Sequence, residues 1–179
     1  MKGIVFTGLL DMVEEQYGYE LVDELLTEND LPSGGIYTTI GTYDHAEMVT
    51  LVRALQQKTG IPIPDLLRVY GHYTFRSFSR SYRMFIDQAT SAFELLNSVQ
   101  HYIHVEVRKL YPDAELPQFI IDKLTDKTMI MRYESERKMA DFAYGMIEGC
   151  LDHFQEKATI SMADLSGDGS RVEFTIQKE

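Results

Sequence analysis

The apolar residues of this chain recur with a helical period through its first two thirds and with a period of two after Pro117, and that single change restricts the fold more than any other feature. Residues 3 to 17 set Val5, Leu9, Met12 and Val13 on one helical face, with Gly18 as a natural stop. Residues 20 to 28 read as a second helix whose acidic run, Glu20, Asp23 and Glu24, is a solvated face. Pro32 to Gly35 is loop. Asp44 then caps a helix carrying Met48, Leu51, Val52 and Leu55, ended by Gly60. Pro64 opens a helix through about Phe78, and helical segments at about 81 to 89 and 92 to 111 follow, up to Pro112.

Beyond Pro117, Phe119 to Leu124 and Thr128 to Glu134 are short and rich in β-formers, and predict a hairpin. Residues 136 to 156 predict a long helix with the stripe Met139, Phe142, Ala143, Met146, Ile147, Cys150 and Phe154. Two last strands, about 158 to 163 and 171 to 177, flank the turn Asp164 to Ser170, with Val172, Phe174 and Ile176 alternating against polar neighbours. The fold class is therefore α+β: an N-terminal helical region followed by a four-stranded antiparallel sheet with an inserted long helix. No internal repeat interrupts it.

A length of 179 residues suits one domain, or two subdomains, and is sufficient to bury a cofactor without disulfides. The formal net charge of −11 argues against binding to nucleic acid or to an anionic membrane surface, both of which need clustered Lys and Arg. The single cysteine, Cys150, excludes a disulfide framework and any multi-cysteine metal cluster, which suits a reducing cytoplasmic setting. The apolar run Ile4 to Leu10 is followed at once by Asp11, Glu14 and Glu15, so it reads as a helix of the fold rather than a signal peptide. No apolar stretch approaches the length of a membrane span.

Two features carry chemistry. In Tyr133-x-Ser135-x-Arg137 a strand points the two hydroxyls the same way, and Arg137 follows as the strand ends. Two hydroxyls and a guanidinium fork suit a pair of carboxylates, such as porphyrin propionates, whereas the plain alternative is a strand end with a Ser135 helix cap and a solvated Arg137. His104, 29 residues upstream on an amphipathic helix, is a candidate axial ligand for haem iron. His101, one turn earlier, offers a rival metal pair with Glu106 or Glu94 nearby. His45, His72 and His153 sit in no motif. The turn Asp164 to Ser170 imitates the start of a calcium loop but has Thr175 at the twelfth position, so it reads as a hairpin turn. Neither a phosphate loop nor a Ser–His–Asp or paired-carboxylate arrangement can be placed.

Taken together, Met1-Lys2-Gly3, His104 with Tyr111-Pro112, Pro117, and Tyr133-x-Ser135-x-Arg137 resemble the haem nitric oxide/oxygen binding (H-NOX) family over essentially the whole chain. The resemblance implies a haem b buried between a helical distal subdomain (1–62) and a proximal, sheet-bearing subdomain (63–179). It implies His104 as the iron ligand, Tyr133, Ser135 and Arg137 as propionate holders, and Pro117 pressing on the porphyrin. It places Val5, Phe78 and Met146 in the distal pocket, together with Leu9, Thr74 and Phe142. Oxygen-binding members carry a Trp, an Asn and a Tyr at these last three positions, and this chain carries Leu9, Thr74 and Phe142.

A distal hydrogen bond to charged bound oxygen contributes about 1.5–3 kcal/mol, or roughly 10- to 150-fold in affinity, and Phe142 cannot supply it. Tyr144 lies about 200° round the same helix from Phe142, and the short Thr74 hydroxyl can bond its own helix. The resemblance thus implies a sensor, not an enzyme, that binds nitric oxide and CO, discriminates against oxygen, and signals to a separate histidine kinase or cyclic-di-GMP enzyme through release of His104. Three alternatives stay open: an oxygen sensor using Tyr144 or Thr74, a haem-free anion-binding domain built on Tyr133, Ser135 and Arg137, and a metal hydrolase built on His101 and His104.

Overall fold

The computed structural model describes all residues from Met1 to Glu179. The chain divides into two compact units, Met1–Tyr70 and Gly71–Glu179, with the boundary inside a helix.

The first unit contains α1 (Gly3–Tyr17), α2 (Tyr19–Thr27), α3 (His45–Thr59) and the start of α4 (Ile63–Ser81). α1 buries Phe6, Leu9, Met12 and Val13, while Val5 is only half-buried. Phe6 takes the inner place because its ring stacks on Tyr37 at 4.6 Å, and Tyr43 meets it edge-on at 5.5 Å. The caps expected of α3 are present: the Asp44 carboxylate accepts from the Ala46 amide at 2.8 Å, and Gly60 closes the helix at φ 73°, where a side chain would be strained. The loop before α3 is tied to Glu47, a buried carboxylate that accepts from the Ser33 amide and hydroxyl and from the Tyr37 hydroxyl. A buried charge needs that many donors to offset its lost hydration. The same surroundings push the Tyr37 phenol up to about 12, burial being the larger cause and the Glu47 carboxylate a further one.

The second unit continues α4 and adds α5 (Arg83–Ile86), α6 (Ala92–Ser98), a π-helical turn (Val99–Ile103) and α7 (His104–Leu110). After them come β1 (Gln118–Leu124), β2 (Thr128–Glu134), α8 (Ala140–His153), β3 (Ala158–Asp164) and β4 (Arg171–Lys178). The strands form one antiparallel sheet in the order β1-β2-β4-β3, with a bulge in β1 between Ile121 and Lys123. The alternation seen in the sequence is structural: Met129, Met131, Tyr133, Val172, Phe174 and Ile176 are buried on one face of the sheet, in one core cluster with Ala143, Ile147, Cys150 and Leu151 of α8.

Two α4 contacts explain the seat of α8. A Cβ on Gly71 would lie 2.0 Å from the Phe142 carbonyl oxygen, and one on Gly149 would lie 2.9 Å from the Phe75 Cβ. The helices approach so closely because these two positions lack side chains.

Three sequence expectations need correction. Residues 92 to 111 do not form one regular helix, because the π-turn interrupts it. The segment 81 to 89 contains one helical turn only, Arg83–Ile86. The long helix starts at Ala140, not 136: Lys138 adopts φ 54°, and the hydroxyls of Ser135 and Tyr133 accept from the amides of Arg137 and Met139. Side-chain oxygens thereby satisfy amides ahead of the helix, and the left-handed residue delays its start.

Candidate functional site

His104 opens α7 and is only 8% exposed. Burial, with a smaller effect from the Arg108 charge, lowers its pKa from 6.5 to about 4, so the imidazole is neutral at pH 7. Its Nδ1 is buried without a hydrogen-bond partner. A neutral imidazole held in an apolar setting is the form that ligates a metal. The ring is fixed by packing: Phe119 of β1 lies 5.8 Å away between ring centres, tilted by 44°.

Phe119 also reaches Tyr133, 5.7 Å away and directly opposite in the β1–β2 register. The Tyr133 hydroxyl is buried, which raises its pKa, and it accepts from the Met139 amide at 3.0 Å. The Ser135 side chain lies within hydrogen-bonding reach of that hydroxyl, and the Ser135 Oγ accepts from the Arg137 amide at 3.2 Å. Arg137 is not solvated. Its side chain is 18% exposed, and its fork donates to the backbone carbonyl of Glu115 and, at 2.7 Å, to the Glu115 carboxylate. A carboxylate thus sits in the fork of the arginine that the sequence marks as a carboxylate holder. Glu115 stands two residues before Pro117, which is half-buried on the stretch from α7 to β1.

The structure brings His104, Phe119, Tyr133, Ser135 and Arg137 into one continuous arrangement within the second unit. Thr74 and Phe78 of α4 and Phe142 and Met146 of α8 lie on the two helices that meet at Gly71 in that unit; Thr74 is buried, and the other three are half-buried. Val5 and Leu9 belong to the first unit, one helical turn apart on α1. The plain reading of the strand end fails on both counts: Ser135 caps a turn ahead of α8 rather than the helix itself, and Arg137 is not solvated.

The rival metal pair does not assemble. His101 is exposed while His104 is buried, the Glu94 carboxylate accepts from the amide and hydroxyl of Thr90, and Glu106 pairs with Lys109. In the turn Asp164 to Ser170, the Asp164 carboxylate accepts from the amides of Ser166, Gly167 and Gly169, and Asp168 pairs with Lys138 at 2.8 Å. Those carboxylates are committed to the hairpin.

Phe119, Glu115 and Gln100 are the contributors that the sequence reading passed over. Hairpin register could have set Phe119 opposite Tyr133. Nothing local marks Glu115 or Gln100, whose partners lie 22 and 19 residues away.

The donor set fits an iron porphyrin: a buried neutral imidazole for the metal, and hydroxyls with a guanidinium for its acid side chains. Comparison with known proteins agrees. The family model Haem-NO-binding matches residues 2–162. An unliganded Fe(II) H-NOX protein from K. algicida superimposes with TM-score 0.95 at 41% identity, covering 100% of this chain and 97% of that one. The S. oneidensis H-NOX protein in the Fe(II)NO state gives TM-score 0.92 at 29% identity, covering 100% and 99%. The Shewanella woodyi H-NOX, bound to IWP-051 in the Fe(II)CO state, gives 0.85 at 39% identity, covering 100% and 95%. Among curated proteins none matches the chain. No helix is long and apolar enough to cross a membrane.

Proposed function

The chain belongs to the H-NOX family, the haem-binding gas sensors, and from that premise we propose that it is a nitric oxide sensor that also binds CO and discriminates against oxygen. The prosthetic group is haem b, which supplies a ferrous iron able to bind a diatomic gas. His104 would hold the iron as a neutral imidazole. Tyr133, Ser135 and Arg137 would hold the propionates, Pro117 would press on the porphyrin, and Thr74, Phe78, Phe142 and Met146 would line the gas side. Support for the ligand role comes from the buried, partnerless Nδ1 of His104 and its pKa of about 4.

Selectivity rests on Phe142, whose side chain carries no donor at the position that decides the matter in the family. Tyr144 does not replace it, because its hydroxyl is directed to the Ile160 carbonyl oxygen in β3. Oxygen therefore forgoes the stabilisation that a distal donor provides, while nitric oxide, carrying little charge, loses little. His104 opens α7 directly after the π-turn, so a change at its imidazole would be passed to those two elements. A separate histidine kinase or cyclic-di-GMP enzyme would read such a change through its different affinity for the two states.

The test is the visible absorption spectrum of the haem-loaded, reduced protein, taken first without oxygen, then in air, then with nitric oxide. A spectrum unchanged by air and altered by nitric oxide is expected. A stable oxygen complex would overturn the selectivity, and failure to take up haem would overturn the whole reading.

A further inference from the structure

We propose that Gln100 is a positioning residue for His104: it holds the helix before the histidine in a π-turn by accepting a hydrogen bond from the backbone of β1. The proposal rests on the sensor reading for its consequence, but not for its geometry.

The segment Val99–Ile103 closes hydrogen bonds five residues apart, and the last of them is made by the histidine's own amide, His104 N–H to the Val99 carbonyl. A π-turn holds one residue more than the α-helix in the same rise and is intrinsically unfavourable. None of its five residues is fully buried, although Ile103 packs against the core and Tyr102 against Phe85. Gln100 ties the turn to the sheet: its Oε1 accepts from the Phe119 amide at 3.1 Å. β1 is an edge strand, and Phe119 N–H points outward from the sheet. Gln100 satisfies a donor that an edge strand otherwise leaves open.

Phe119 is therefore attached on both sides. Its amide fixes Gln100, and its ring packs against His104 at 5.8 Å. Since the Phe119 amide turns away from β2, Phe119 and Tyr133 form the non-hydrogen-bonded kind of antiparallel pair, in which side chains stand closest. The 5.7 Å between their rings agrees. One β1 residue thus sets the start of the π-turn, touches the histidine at its end, and abuts the tyrosine of the propionate holder. Relaxing the turn to α register would rotate His104 relative to Gln100 by about 100°. The Gln100 bond selects the orientation in which His104 meets its metal.

Gln100→Leu removes the acceptor at similar size, and Gln100→Glu restores an oxygen there. In the haem-free protein, Gln100→Leu is expected to speed hydrogen exchange at the Phe119 amide by about tenfold, the loss of one hydrogen bond. It is also expected to shift the ring resonances of His104. In the haem-loaded ferrous protein it should displace the iron–histidine stretching band, and Gln100→Glu should return all three readouts toward the parent values. Faster exchange at Phe119 with an unmoved His104 ring and an unmoved band would overturn the proposal, since Gln100 would then merely cap an edge strand. Failure of the parent protein to take up haem would instead strike the sensor reading, with the His104 resonances still deciding the role of Gln100.

Discussion

Arg137 holds Glu115 at two points, its backbone carbonyl and its carboxylate, the second at 2.7 Å. The two residues join the end of the Tyr-x-Ser-x-Arg segment to the stretch between α7 and Pro117. One arginine thereby connects the Tyr133-x-Ser135-x-Arg137 segment to the chain leaving α7.

Replacing either partner of this pair tests what the guanidinium holds. Each charge-assisted hydrogen bond contributes about 1.5–3 kcal/mol, so Arg137→Gln is expected to speed haem loss by tenfold or more. Glu115 is 85% exposed, and a pair so open to solvent is worth at most about 1 kcal/mol. Glu115→Gln should therefore change haem loss by no more than a few fold. Haem transfer to excess apomyoglobin measures both; equal effects from the two substitutions would contradict the assignment of the guanidinium to the propionates.

Acid should loosen the β3–β4 hairpin. Lys138, then the hydroxyl and amide of Ser170, hold the Asp168 carboxyl well below the usual carboxylate range. The hydroxyl of Ser166, with the amides of Ser166, Gly167 and Gly169, lowers Asp164 against some opposing desolvation. A carboxylate depressed in the folded state contributes stability that is present above its unfolded pKa of 3.8 and is lost as pH falls below that value. The thermal midpoint of the parent protein should thus fall between about pH 5 and pH 2. Asp168→Asn should flatten part of that fall, and a slope identical in the variant would show that the Lys138 pair contributes nothing.

The sheet was legible in the sequence because burial on one face writes itself as alternation, as in Val172, Phe174 and Ile176. Helix ends were legible where a cap is local, as at Asp44 and Gly60. Elsewhere the cause is distant. The late start of α8 depends on the Tyr133 hydroxyl reaching the Met139 amide, and the π-turn depends on Gln100 reaching across to β1. His104, Tyr133, Ser135 and Arg137 could be named from their spacing. Phe119, which links them in space, looked like any aromatic residue in a strand.

Gly71 is expected to be intolerant. A Cβ there would lie 2.0 Å from the Phe142 carbonyl oxygen and 2.9 Å from the Met146 amide, both backbone atoms that cannot swing aside. Gly71→Ala must push α4 and α8 apart, and overpacking of this kind costs about 1–3 kcal/mol. Urea unfolding gives the value directly. Stability equal to the parent would show that the helices separate without penalty, and that their close approach is not what positions Thr74 and Phe142.

The sharpest test of gas selection is Phe142→Tyr. Phe142 is half-buried on α8, the helix that meets α4 at Gly71, and the substitution adds a single oxygen atom to its ring. A donor directed at bound oxygen contributes about 1.5–3 kcal/mol, which converts to roughly 10- to 150-fold tighter oxygen binding. Nitric oxide carries little charge when bound, so its affinity should move much less. The discriminating quantity is the ratio of the two affinities, obtained from oxygen titration and nitric oxide trapping of the same ferrous preparation. An unchanged ratio would mean that residue 142 does not face the gas, and that exclusion of oxygen lies elsewhere in the pocket, with Thr74 the next position to vary.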